Sequence, residues 1–119
     1  MNYSIFENKN AKYLEFKNGN KKLFNESDGL EVINICFETG IRSIMLHEEM
    51  ISQDFFNLKT GLAGFVLQKL INYRIKAALV MKDDSRLIGR FKEMASESNN
   101  RNEFRVFMNK DVAEQWLTS

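Results

Sequence analysis

Apolar positions alternate near the start of the chain and recur at helical spacing further on. Tyr3 to Phe6 ("YSIF") and Lys12 to Phe16 ("KYLEF") are aromatic and branched runs divided by the polar "ENKN", which predicts a two-stranded antiparallel hairpin. "NGNKK" then marks a loop. In "SDGLEVINICFE" Asp28 stands three residues before Glu31, the spacing of a capping box, and predicts a helix with Leu30, Ile33 and Phe37 as its apolar line and Gly40 as its end. "SIMLH" follows as a short strand.

The densest apolar stretch comes next. Phe55, Leu58, Leu62, Phe65 and Val66 keep helical spacing, and Ala63, Leu67, Leu70 and Ile71 widen the stripe, so one helix is predicted from Ser52 or Asp54, as cap, to about Tyr73. "KAALVM" is a continuous run suited to a strand covered on both faces. "DDS" is placed to cap a third helix bearing Leu87, Ile88, Phe91, Met94 and Ala95, which "SNNRN" breaks. "EFRVFM" alternates as a strand, and Asn109 caps a last helix whose buried face is Val112, Ala113, Trp116 and Leu117. The order β-β-α-β-α-β-α-β-α needs crossover connections, so the chain is expected to be one small α/β sandwich, with a mostly parallel sheet and an antiparallel N-terminal edge.

Length and composition leave that outline intact and narrow the function. A chain of 119 residues fits a single domain, and 44% hydrophobic with 28% charged residues is an ordinary globular balance. Seventeen basic against sixteen acidic residues leave a net charge of +1, which provides no field for a polyanion and argues against nucleic acid as a partner. The one cysteine, Cys36, cannot form an internal disulfide and lies among Val32, Ile33, Ile35 and Phe37, so burial in a reducing compartment is expected. No leader-like start and no run of about 20 apolar residues is present, so no membrane association and a cytoplasmic location are expected.

Candidate chemistry is sparse. Gly61 and Gly64, three apart, suit a close approach of another element or a self-association face, and a homodimer closing there is one expectation. "NLKTGLAG" lacks the spacing of a phosphate-binding loop, so Lys59 is expected to be solvated and Thr60 to bond a carbonyl of the preceding turn. His47 ends the third strand and is followed by Glu48 and Glu49, at the place where open parallel sheets collect ligands, and Asp54 is close by. With Asp83, Asp84 and Ser85 after the next strand they form an alternative ligand or enzyme site. One histidine among carboxylates is too few donors for a metal centre, and no cofactor motif is present. Arg86, Arg90 and Lys92 with Glu93 and Glu97 give a helix face of mixed sign, expected to be a solvated face, with docking of an acidic partner at its basic end as the alternative.

The stretch "HEEMISQDFFNLKTGLAGFVLQKLINYRIKAALV", followed by "ESNNRNEFRVF" and "AEQWL", resembles the bacterial family named domain of unknown function 4180, from about His47 to the C-terminus. The first forty residues agree with it in element order. That resemblance implies no particular activity. The element order is also similar to the STAS fold of anti-sigma-factor antagonists, in which a strand leads into a regulatory helix start of the type Asp-Ser-Ser-Gly-Leu. Here Asp54 is followed by Phe55 and Phe56 where the serines would stand, and shifting the register to "KTGL" offers Thr60 inside the helix instead.

The reading that follows is a non-enzymatic protein-binding or regulatory module. Its surface is expected to comprise His47, Glu48, Glu49, Ser52, Asp54, Phe55, Phe56, Lys59 and Thr60, with Phe55 and Phe56 as anchors, since two successive side chains cannot both point directly into the core; the equal alternative is that both are buried, one under the helix and one beneath the preceding loop.

Overall fold

A computed structural model describes residues 1–9, 11–17 and 25–119. The strands are β1 (Tyr3–Asn8), β2 (Ala11–Phe16), β3 (Ser43–His47), β4 (Lys76–Val80) and β5 (Phe104–Phe107); the helices are α1 (Glu26–Thr39), α2 (Gln53–Phe56), α3 (Leu62–Asn72), α4 (Gly89–Ser98) and α5 (Lys110–Leu117). They build one sheet of order β1-β2-β3-β4-β5, antiparallel between β1 and β2 and parallel elsewhere, as the sequence pattern predicts. The expected "NGNKK" loop lies outside the described residues. Among the described residues, no helix is long and apolar enough to cross a membrane.

Strand order decides where the helices go. Because β2 to β5 lie side by side in chain order, right-handed crossovers carry α1, α3 and α4 to the same face. The last helix closes no crossover and covers the other face. Leu14, Phe16, Ile44, Leu46, Ala77 and Leu79 point into the larger core with α1 to α4. Their neighbours Tyr13, Met45 and Ala78 meet Ala113 and Leu117 of α5. On β4 the residues Ala77, Ala78 and Leu79 are fully buried, which is why that strand reads as an unbroken apolar run.

Four local predictions need correction. First, the cap of α1 is Asn25, whose side chain accepts from the Asp28 N–H at 2.9 Å, and Asp28 sits within the helix. The buried stripe runs through Gly29, Val32, Ile33 and Cys36, with Ile35 beside it, while Leu30 and Phe37 are exposed. Phe37 instead packs edge-on against Tyr73. Gly40, at φ 72°, ends the helix as expected.

Second, the single helix expected over 52–73 is interrupted. After the short α2, Asn57 turns the chain by accepting from the Lys59 N–H, and Gly61 takes a left-handed conformation at φ 80° before α3 begins. A residue with a β-carbon resists that conformation, so glycine is used here for a break, not for close packing. Around both Gly61 and Gly64 the space is open, which removes the close approach expected of them. Third, α4 begins at Gly89 and not at "DDS", because Asp83 accepts from the Ser85 N–H in a turn of its own; Ile88 is left exposed. Fourth, Val112 is exposed on α5, where Ala113 and Leu117 face the sheet.

Candidate functional site

The residues expected to act together divide between two places. His47, the last residue of β3, points to the α5 side of the sheet. There its Nε2–H donates to Oε2 of Glu15 at 2.5 Å, and Lys110 at the start of α5 reaches the same oxygen at 3.1 Å. The Glu15 side chain is 0% exposed. Among the described residues its other oxygen, Oε1, accepts no hydrogen bond, and Lys17 lies 3.9 Å from it. Burial pushes the Glu15 carboxyl upward, but bonds from His47 and Lys110 outweigh burial and leave it below the usual carboxylate range. Beside it the Tyr13 hydroxyl donates to Glu114 at 2.7 Å; burial and that carboxylate raise the phenol far above its ordinary value. A carboxylate this enclosed is a tether for α5, with no face open to a substrate.

Glu48 turns the opposite way. Its Oε1 accepts from the Lys82 N–H at 2.9 Å and its Oε2 lies 3.6 Å from Arg86 Nε, so the segment after β3 is tied to the segment after β4. Glu49, Ile51, Lys82 and Arg86 complete a polar cleft of about 180 Å³ with it. Neither His47 nor Asp54 lines that cleft. Asp83, Asp84 and Ser85 are exposed, and the bond from Ser85 holds Asp83 below the usual range. Asp54 is exposed on α2. The alternative ligand cluster therefore does not converge: His47 is bound to Glu15, Glu48 to the β4 loop, and the aspartates face solvent separately.

The aromatic anchors are also corrected. Phe55 is 0% and Phe56 7% exposed. Phe55 is ringed by Phe56, Phe91 and Phe104 at centroid distances of 6.0, 6.1 and 6.4 Å, and Phe56 meets Phe91 at 4.9 Å. Both can be buried because α4 covers one side of Phe56 and the Arg86 guanidinium lies 4.9 Å over its ring. Ser52 is buried too, its hydroxyl makes no capping bond, and it offers no surface. Lys59 is exposed as expected, and the Thr60 hydroxyl bonds the carbonyls of Asp54 at 2.6 Å and Asn57 at 2.9 Å. Thr60 lies just ahead of α3, outside any long helix, because Gly61 breaks the chain there.

Glu15, Lys110 and Ile88 are absent from the predicted site. A signal existed for Glu15: alternation along β2 puts it opposite Leu14 and Phe16, and a final amphipathic helix with no crossover to make has to cover that face. Ile88 fits the spacing of a core position only in a helix that begins earlier than α4 does.

Neither a curated protein nor a solved structure matches the chain. A family model does match, over residues 8–117, and the chain belongs to the family described as domain of unknown function (DUF4180).

Proposed function

We propose that this domain is a non-enzymatic, STAS-like regulatory module of the cytoplasm that works by binding another protein. The observation carrying the proposal is Ile88, which at 66% exposure is the most exposed large apolar side chain among the described residues. It borders a groove of about 270 Å³ between the Asn57–Thr60 turn and the start of α4, floored by Phe56, Leu58 and Phe91. Lys59 and Arg90 stand at its rim, and among the described residues no carboxylate lines it. An apolar floor with a cationic rim fits an acidic segment of a partner that inserts one aliphatic or aromatic side chain. The loops behind the groove are cross-tied through Glu48, Lys82 and Arg86, so the surface is preorganised for docking.

Selection from a random-peptide display library on the wild-type protein tests this. Enriched peptides are expected to carry an apolar residue flanked by Asp or Glu, and to bind Ile88→Asp and the double variant Lys59→Glu/Arg90→Glu at least about tenfold more weakly, a loss of about 1.4 kcal/mol. Undiminished binding to both variants, or no enrichment at all, would remove the groove as the docking surface.

A further inference from the structure

We infer that the outer edge of β1 is a self-association surface, which pairs antiparallel with β1 of a second copy about a two-fold axis at Ile5. This rests on the sheet and is independent of the groove beside Ile88.

The two edges of the sheet are treated differently. At the β5 edge the strand has only four residues, the Val106 N–H donates to Asn99 Oδ1 at 2.9 Å, and Arg105 donates to the Arg101 carbonyl at 2.8 Å. Chain from the preceding turn therefore guards it. At the β1 edge the strand has six residues, all exposed, and among the described residues no hydrogen bond covers its outer side. Its sequence, "YSIFEN", contains no proline, glycine or lysine, the residues that commonly blunt an edge. Tyr3 and Ile5 are 40% and 54% exposed on the α1 side, and Phe6 stays 37% exposed on the α5 side although Lys110 of α5 reaches to 5.5 Å over its ring, so among the described residues the strand remains open on both faces.

Register singles out the occupant. The β1–β2 ladder closes on the pair Asn8 and Ala11, which leaves two residues for the turn and makes that pair hydrogen-bonded. Alternation then directs the N–H and C=O groups of Ser4, Phe6 and Asn8 to β2, and those of Tyr3, Ile5 and Glu7 outward. A second copy keeps its helical layers on the matching sides only if residues of the same face oppose each other. Centring on Ile5 satisfies both conditions: Ile5 faces Ile5, Tyr3 faces Glu7 on either side, and about six inter-strand hydrogen bonds form. Moving the centre to Phe6 or Ser4 leaves about four. Moving it to Glu7 sets two carboxylates opposite each other. The favoured register pairs a phenol with a carboxylate and two branched side chains, both favourable cross-strand combinations. It turns two five-stranded sheets into one continuous sheet and closes both exposed edges.

Sedimentation equilibrium of the full chain from about 1 µM to about 1 mM tests it. Expected is a monomer–dimer equilibrium whose dissociation constant rises at least about tenfold in Ile5→Lys, which places two cations in contact at the axis, with circular dichroism and melting of the monomer unchanged. Cysteine cross-linking checks the register. Opposed Ile5→Cys residues lie about 5.5 Å apart between Cα atoms and should oxidise to a disulfide dimer, whereas Ser4→Cys residues lie roughly 8 Å apart and should not. Native Cys36 is buried, with its thiol pushed up to about 11, and leaves the assay clean. A chain that stays monomeric throughout, a dimer untouched by Ile5→Lys, or cross-linking through Ser4→Cys in place of Ile5→Cys overturns the inference.

Discussion

Replacing Glu15 by Gln keeps the side chain's volume and removes the charge that ties α5 to the carboxyl ends of β2 and β3. Two effects oppose each other. Burial of an ionised carboxylate is costly, and Glu15 is completely enclosed, so neutralisation relieves desolvation. Against this, two bonds from His47 and Lys110 converge on one oxygen, and charge-assisted bonds contribute about 1.5–3 kcal/mol where neutral ones contribute about 0.5–1.5. The loss is roughly 1 kcal/mol per bond before screening. The Lys110 side chain is 43% exposed and its share shrinks, while His47, at 15%, keeps most of its own. The direction of the Glu15 shift, below the usual carboxylate range, indicates that these bonds outweigh burial. Glu15→Gln should therefore cost about 1–2 kcal/mol at neutral pH.

The pH dependence follows from the same shift. A carboxyl whose folded pKa lies below its unfolded value contributes stability above the unfolded value and loses it as pH falls through the folded one. Glutamine cannot titrate, so the gap between variant and wild type should narrow toward zero as the pH falls through the lowered Glu15 value. Urea unfolding followed by fluorescence is the natural assay, because the chain's one tryptophan, Trp116, lies in α5 itself. A variant as stable as wild type at neutral pH would mean that desolvation decides. A gap that persists unchanged in acid would mean that packing, not charge, holds the helix.

Other perturbations separate packing from backbone effects. Phe55→Ala should cost about 3–5 kcal/mol in chemical denaturation, since the ring is fully buried among three others; a loss under about 1 kcal/mol would return it to the surface. Gly61→Ala should destabilise by about 1–2 kcal/mol because its φ is 80°, whereas Gly64→Ala, exposed within α3 with open space around it, should stabilise by about 0.5–1 kcal/mol; shifts of the same sign in melting temperature would refute the contrast. Cys36, buried and with its pKa raised to about 11, should react with a thiol reagent at neutral pH only as the fold opens, so fast labelling of native protein would contradict its placement.

How much the sequence disclosed varied with the number of independent signals at each element. The hairpin, β4 and the caps at Asn109 and Gly40 each combine a pattern with turn or cap chemistry, and each was legible. The stretch over 52–73 offered one signal, helical spacing, and spacing alone cannot register a break that preserves the apolar period on either side. Gly61 was visible, but its role depends on φ, which composition does not carry. Of the stripe expected on α1, Ile33 is buried but Leu30 and Phe37 are not; they are as apolar as the residues that are buried, and only contact with α3 and Tyr73 distinguishes them. Of the predicted site, the placement at the strand ends was readable from topology. The division of His47 from Glu48 was not, because adjacent residues at a strand end project to opposite faces and then bind partners more than thirty positions away.

The two faces of the sheet also explain why charge is buried where it is. Three crossover helices supply apolar surface that fills most of one side, with Asp28 and Ser52 among the few polar residues buried there, but α5 has only eight residues to cover four parallel strands. Its apolar contacts reach the middle of the face, at Met45 and Ala78, and both ends are closed by charge. At the strand carboxyl ends Glu15 joins His47 to Lys110. At the other end Lys76 donates to the Trp116 carbonyl and lies 4.6 Å over its ring, while Arg105 lies 5.0 Å over the same ring. A cation on the last carbonyls of a helix also complements its dipole. Burial, with Arg105 nearby, lowers the Lys76 pKa, which marks that contact as enclosed as well. A short helix held at both ends by ionic contacts and in the middle by few apolar ones is the element most sensitive to pH, so acid should release α5 from the sheet before the larger core opens. Trp116 fluorescence changing ahead of the far-ultraviolet circular dichroism during acid titration is the expected signature, and coincident transitions would mean that the two faces unfold as one unit.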